Sequence, residues 1–423
     1  MRRMLLLAIL AVPALALAAT APTTATQILA QAKAASGGAA WNRIHSMRFK
    51  VTIKAGGLTG TLVRLEDLST GRSVAHFKLG PIAGAQGFDG NKGWTKSPGG
   101  EIASDDSPAA MKSDVNAAYQ TARAWWFPKR WPGKIESLGT RNDGGKAFRV
   151  LRITPRGGHP FELWTNAKTH LVVRSVDRSG VQPQTTYFSD FRTVHGIKVP
   201  FHERSSNGKK KYDRIFQINK VVVNVPLSDT DFAMPKQAFH DTSIIGGGNK
   251  ATIPFKLVNN HIYIPVTVNG HSLRFIVDTG AQNILTREAA RRADIKSEGA
   301  LQGGGGGKKS VSAGLAKIEK LVLGDKILLK DQPFGVLPMP GFSNIEGTQF
   351  DGLVGYELFK RFVVRIDYAD QKLTFIRPAD FDRTDAGTAV PFTLAGGGIP
   401  FVKGSIDGIS GEFEIDLGER AAL

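Results

Sequence analysis

One short pattern occurs twice in the chain, and it strongly constrains the fold of the second half. Phe-Ile-Val-Asp-Thr-Gly at 275–280 recurs as Phe-Glu-Ile-Asp-Leu-Gly at 413–418, an offset of 138 residues. Upstream, Ile-Pro-Phe-Lys-Leu at 253–257 recurs as Val-Pro-Phe-Thr-Leu at 390–394, an offset of 137 residues. Two matches at nearly one offset indicate a tandem duplication, in which each copy carries an aspartate at the end of an apolar segment.

Asp278 is the candidate catalytic residue of the first copy. Residues 261–277 are predicted to form two strands joined at Asn269-Gly270, a strong hairpin signal, and the second strand leads into Asp278. A strand end holds a carboxylate in a defined position. Thr279 supplies a small hydroxyl that can fix the turn, and Gly280 lets the backbone approach a partner loop.

A second segment about 75 residues later completes this pattern. Leu353-Val354-Gly355 is an apolar-apolar-Gly run, and two further strands follow at 362–368 and 372–376. The whole stretch 251–378 resembles the retropepsin-like family of bacterial aspartyl proteases, in which such a run threads beside the catalytic loop. The resemblance implies a closed β lobe, catalytic Asp278 with Thr279 and Gly280, a peptide substrate, and a flap in which Gly303–Gly307 is the mobile piece.

The resemblance also implies that Asp278 needs a partner, because two neighbouring carboxyl groups share one proton and together activate water. Three hypotheses remain open. In the favoured one, a homodimer pairs Asp278 of each chain across a two-fold axis. In the second, Asp416 pairs with Asp278 within one chain. In the third, the protein is non-catalytic and binds peptides or lipids.

The second copy, 388–423, departs from the family pattern. Leu417 stands where the first copy has Thr279, which removes a hydroxyl that would brace the two loops. The copy is also short, since the first copy continues for about 100 residues beyond its aspartate. We therefore expect a truncated, degenerate lobe with Asp416 as a degenerate partner.

The first half reads as an antiparallel sheet with little helix. Residues 47–54 alternate apolar and polar side chains, the pattern of a strand with one buried face. Similar runs recur at 72–79, 148–154, 161–165, 171–177, 185–191 and 215–224. Short helices are predicted within 26–44, interrupted at Gly37-Gly38, and within 107–126.

Loose motifs across 26–235 look like the outer-membrane lipoprotein-carrier fold. They include 37–44, 88–94, 163–172, 187–192 and 224–227. That resemblance implies an open half-barrel that cups an apolar cavity beneath helices, and a lipid or acyl-chain ligand. Together the expectations are a mainly β protein with a signal peptide at 1–21, a lipoprotein-carrier-like domain at 22–240, a linker at Gly246–Gly248, a protease lobe at 250–380 and the partial repeat.

The start of the chain and its charge bear on location and partners. Two arginines, an apolar run from Met4 to Leu17 and small residues fit a cleavable signal peptide, which predicts a periplasmic or secreted protein.

The first half is strongly basic, since residues 22–246 carry 32 Lys and Arg against 17 Asp and Glu. In that compartment such a domain is expected to meet anionic lipid or envelope polymers, and not nucleic acid.

Other chemistries find little support in the sequence. Zero cysteines exclude disulfides, thiol catalysis and thiolate metal sites. The nine histidines show no metal-ligand spacing, and neither a Gly-x-Ser-x-Gly elbow nor a phosphate loop is present. We therefore expect no metal and no cofactor.

Overall fold

The computed structural model describes residues 23–180, 182–303, 311–395 and 398–420. The predicted signal peptide and most of the predicted flap segment lie outside these ranges. Within them, no helix is both long enough and apolar enough to cross a membrane.

The first half forms a single sheet of thirteen strands, and every neighbouring pair is antiparallel. Its strands are β1 Ser46–Ala55, β2 Leu58–Asp67, β3 Ser73–Leu79, β4 Ile82–Phe88, β5 Gly93–Lys96, β6 Ile102–Ala103, β7 Gly133–Asp143, β8 Lys146–Pro155, β9 Phe161–Asn166, β10 Val172–Asp177, β11 Gln184–Val194, β12 Ile197–Ser206 and β13 Arg214–Val223. The spatial order runs from β6 to β1, then from β13 to β7, so the first and last strands meet in the middle.

Two helices pack on this sheet. Helix α1, Ala25–Ala35, starts with a capping box in which Thr24 and Gln27 satisfy each other's backbone amides. Helix α2, Pro108–Thr121, ends before the predicted boundary because Arg123 adopts a φ of 51°, which a right-handed helix cannot continue. Ile28 of α1 and Tyr119 of α2 share one buried cluster with β8 and β9. The predicted antiparallel sheet beneath helices is confirmed.

The second half contains a closed six-stranded barrel. The elements of this half are β14 Thr242–Ile244, β15 Lys250–Pro254, β16 Lys256–Val258, β17 His261–Val268, β18 His271–Val277, β19 Ile284–Thr286, α3 Arg287–Arg292, β20 Glu298–Gly303, β21 Val311–Leu323, β22 Ile327–Leu337, α4 Phe342–Glu346, β23 Gly352–Val354, β24 Val363–Asp367 and β25 Lys372–Ile376. Of these, β15, β25 and β24 form a separate three-stranded sheet. The ring runs β22-β19-β23-β18-β17-β21 and closes where β21 pairs with β22. The predicted closed β lobe is confirmed.

Three strands of the second copy form a separate sheet, β26 Phe392–Ala395, β27 Ile399–Ile406 and β28 Ile409–Glu414. They repeat the meander of β16, β17 and β18. The turn between the last two strands is also repeated, since Asn269-Gly270 and Asp407-Gly408 both have positive φ. This agreement supports the duplication inferred from the sequence.

The two halves are joined by direct contacts as well as by the predicted linker. Strand β14 lies just before that linker and pairs with β22 of the barrel. The buried guanidinium of Arg361 donates hydrogen bonds to Asp241 and to the carbonyl of Gly99. The backbone of Ala300 in β20 donates to the carbonyl of Gly56, between β1 and β2.

Candidate active site

Asp278 lies at the end of the buried strand β18. Strand β23 runs parallel to β18 and pairs Val277 with Val354. The amide of Asp278 then donates to the carbonyl of Val354 at 3.0 Å. The predicted apolar-apolar-Gly run therefore lies directly beside the aspartate, where it anchors the backbone of the loop.

Gly355 is needed where these two segments cross. A Cβ atom added there would lie 2.2 Å from the carbonyl oxygen of Ala281. The amide of Gly355 donates to the buried side chain of Asn283 at 2.9 Å. Because only glycine permits this approach, the threading of the two segments depends on it.

The structure brings Asp416 of the second copy to Asp278 in the same chain. The two carboxyl groups approach closely, and Asp416 acts on the ionisation of Asp278. Their loops are related by near symmetry, since the amide of Gly280 donates to Asp278 at 2.8 Å and that of Gly418 donates to Asp416 at 2.8 Å. Each aspartate is thus positioned by the glycine two residues beyond it.

Each glycine also makes room for the opposite carboxyl group. A Cβ atom on Gly280 would lie 2.5 Å from Cγ of Asp416, and one on Gly418 would lie 2.3 Å from a carboxylate oxygen of Asp278. No side chain fits at either position without separating the pair. The glycines are therefore a steric requirement of the contact.

Thr279 braces the two loops from one side. Its hydroxyl donates to the carbonyl of Ile415 at 2.6 Å and accepts the amide of Leu417 at 3.0 Å. Leu417, which occupies the position of Thr279 in the second copy, has no hydroxyl and cannot make the equivalent hydrogen bonds to the first loop. Its side chain packs instead against the apolar core of the barrel.

Burial raises the pKa of Asp278 to about 7, and the charge and hydrogen bond of Asp416 act in the same direction. The amide of Gly280 and the side chain of His261 oppose the shift. An acid with this pKa keeps its proton at mildly acidic pH, where an ordinary aspartate has lost it. The pair can therefore hold one carboxyl and one carboxylate together.

Sequence reasoning missed a buried group beside this pair. His261 lies between Glu346 and the carbonyl of Gly418, at 2.9 Å and 3.0 Å. Tyr263 donates to the same Glu346 oxygen at 3.0 Å. No local pattern marks these residues, because His261 and Glu346 are 85 positions apart. Among the described residues, no group of three or more histidine and acidic side chains is arranged to hold a metal ion.

Residues 264–358 match the family model for aspartyl proteases. The predicted resemblance of this lobe to aspartyl proteases is thereby confirmed over those residues. No curated protein matches the chain.

Similar solved structures fall into two groups. A retropepsin-like aspartic protease from Rickettsia conorii is 23% identical, with 33% of this chain and 95% of that chain covered and a TM-score of 0.22. A LolA superfamily protein from Nitrosomonas europaea is 17% identical, with coverage of 50% and 97% and a TM-score of 0.36. A putative outer membrane lipoprotein-sorting protein domain from Vibrio parahaemolyticus is 12% identical, with coverage of 49% and 94% and a TM-score of 0.33.

Proposed function

We propose that this protein is an aspartic endopeptidase that hydrolyses peptide bonds through Asp278 and Asp416 of a single chain. The observation that carries the proposal is the close approach of the two carboxyl groups, which lie on loops that interlock through Gly280 and Gly418. The aspartyl protease family match over 264–358 supports the same reaction class. An exported location, inferred from the predicted signal peptide, is part of the proposal.

The chemistry follows from one proton shared by two acids. Asp416 takes a proton from a water molecule, and the oxygen of that water attacks the peptide carbonyl carbon. Asp278 donates its proton to the carbonyl oxygen, so a neutral tetrahedral diol forms. Collapse of the diol breaks the C–N bond: the proton on Asp416 moves to the leaving nitrogen, and Asp278 takes a proton from one diol hydroxyl as the new C=O bond forms. The products are a carboxylic acid and an amine, and the pair again holds one proton.

Single substitutions test this proposal. Asp278→Asn and Asp416→Asn should each abolish cleavage of a peptide library, because neither variant has a full pair. Asp407→Asn is the matched control, since Asp407 lies in the exposed turn of the same hairpin at a φ that asparagine also tolerates. Full cleavage by the Asp278 variant would refute the proposal.

The homodimer remains a separate prediction. Substitution of Asp416 distinguishes it from the single-chain pair. If Asp278 pairs across two chains, Asp416→Asn stays active; if the pair is within one chain, it is inactive. Mixing the Asp278→Asn and Asp416→Asn chains should restore nothing in the single-chain case. Light scattering on the same samples then shows whether a dimer forms.

A second candidate function is ligand binding by the first sheet, which is favoured by a cavity of about 350 Å³. Its lining includes the apolar rings of Trp41, Phe49 and Trp126. Arg64 and Glu66 also line it and form an ion pair at 3.0 Å, and the Arg64 guanidinium lies over the Phe49 ring. A chain with an apolar tail and a polar head suits such a lining. The basic charge of this half also suits an anionic head group.

Tryptophan fluorescence tests this second function, because Trp125 and Trp126 line the cavity. A brominated fatty acid that enters should quench their emission with saturation. Ser175→Phe places a ring in the cavity lining and should abolish quenching. Unchanged quenching in that variant would show that the acyl chain binds elsewhere.

A further inference from the structure

A buried histidine connects the barrel to the loop that carries Asp416. His261 is the first residue of β17 and is 2% exposed. Its Nε2 atom lies 3.0 Å from the carbonyl oxygen of Gly418, two residues beyond Asp416. His261 is therefore a second barrel side chain that contacts the backbone of the Asp416 loop, in addition to the hydroxyl of Thr279.

The other ring nitrogen of His261 is also occupied. Its Nδ1 atom lies 2.9 Å from Oε2 of Glu346, whose side chain is fully buried. Tyr263 donates its hydroxyl to that oxygen at 3.0 Å. Both ring nitrogens thus face oxygen atoms, and a neutral imidazole has only one N–H to offer.

Counting hydrogens shows that this arrangement needs one extra proton. The Gly418 carbonyl can only accept, so Nε2 must carry a hydrogen. The bond between Nδ1 and Glu346 then needs either a charged imidazolium beside a carboxylate or a neutral imidazole beside a carboxylic acid. Loss of that proton leaves a lone pair of His261 facing either the carboxylate or the carbonyl.

Charged groups on other elements act on this cluster. Arg420 reaches the second oxygen of Glu346 at a distance of 3.9 Å. Arg274 acts on Tyr263 through space, and the Asp278 carboxyl interacts with His261 in the same way. Asp416 belongs to the loop that His261 holds.

We propose that His261 is a positioning residue which docks the Asp416 loop through a proton shared with Glu346, so that rising pH releases the loop. The inference deepens the proposed function, because a released loop removes Asp416 from Asp278. It also stands on its own as a statement about docking, which can be measured without a substrate.

The chain has no cysteine, so introduced cysteines give a clean distance measurement. Ser272 in β18 and Ser410 in β28 are both exposed and lie on the two units that the loop joins. Spin labels on Ser272→Cys and Ser410→Cys report docking as a single narrow distance distribution. The pair is placed in an Asp278→Asn background, which removes repulsion within the aspartate pair as another source of pH dependence.

In this background we expect one narrow distance at pH 5 and a broad second population at pH 9. His261→Leu should give the broad population at both pH values, whereas exposed His271→Leu should behave like the parent. Glu346→Gln should stay docked at pH 9, because a neutral amide can donate to Nδ1 while Nε2 keeps its hydrogen. Glu346→Gln also keeps the test decisive if the leucine variant fails to fold.

A narrow distance at both pH values in the parent, or in His261→Leu, would overturn the inference. So would a Glu346→Gln chain that undocks at pH 9 like the parent. Failure of the proposed function looks different. In that case docking follows His261 and pH as described, while the chain with both native aspartates cleaves no peptide.

Discussion

The hydroxyl of Thr279 accepts the backbone amide of Leu417 at 3.0 Å, and nothing on the Leu417 side chain can return the bond. The same hydroxyl donates to the carbonyl of Ile415, so one side chain holds the backbone on both sides of Asp416. The pair of aspartates is therefore braced from the barrel side only. Burial of Leu417 against the barrel core takes the place of the second brace.

Thr279→Val should separate the roles of the hydroxyl and the methyl group. Valine keeps the shape but loses both hydrogen bonds, which costs about 1–3 kcal/mol of folding free energy. We expect at least a tenfold loss of peptide cleavage, because Asp416 is no longer held. Thr393→Val on the exposed strand β26 is the control. Equal activity and denaturant midpoints in the two variants would contradict the brace.

Gly418→Ala should disrupt the pair by steric conflict alone. Its Cβ would lie 2.3 Å from the Asp278 carboxylate, so the loop must move. Gly411→Ala on the same hairpin is the control, since its Cβ would meet its nearest neighbour at an ordinary 3.8 Å. We expect loss of cleavage in the first variant and none in the second. Cleavage by both would show that the contact is not needed.

The pKa of Asp278 predicts how stability depends on pH. The folded value is raised to about 7. An unfolded aspartate titrates near 3.9. Between these values the folded protein holds a proton that the unfolded chain has released, so the free energy of unfolding falls as pH rises from about 4 to about 7. The full change is about 4 kcal/mol.

Chemical denaturation of wild type and Asp278→Asn across this range measures the effect. Subtracting the two curves cancels the other titrating groups, and Asp407→Asn should track the wild type. If the assignment is right, the free energy of unfolding of Asp278→Asn minus that of the wild type increases as pH rises. A difference that is flat between pH 4 and pH 7 contradicts it.

Asp241 should matter more for stability than its place before the predicted linker indicates. It pairs with Arg361, whose side chain is 1% exposed and also donates to Gly99 in the first half. Asp241→Ala leaves a buried guanidinium without its carboxylate, which costs about 3 kcal/mol. Asp331→Asn breaks only the exposed pair with Lys317, at a φ of 54° that asparagine also tolerates, and should cost less than about 1 kcal/mol. Thermal melts of both variants make the comparison.

Several features of the fold follow from local sequence alone. Alternation of apolar and polar residues locates β1 and β3 to within about one residue at each end. Gly37 adopts a φ of 124° at the end of α1, where the glycine pair predicted an interruption. Strands such as β2 and β12 were not predicted. Gly60 and Arg64 interrupt the apolar face of β2, Pro200 weakens the strand signal of β12, and pairing with neighbours makes both segments strands.

The amino-acid sequence by itself determined that two strands end in aspartates and that each aspartate is followed by a turn with glycine, because those signals depend on neighbouring residues. Only the tertiary structure decided which carboxyl group meets Asp278. Thr279 lies 136 positions from the carbonyl it holds, and His261 lies 157 positions from its own. Contacts over such separations depend on how the barrel closes and on what the second sheet buries, and no local pattern encodes them.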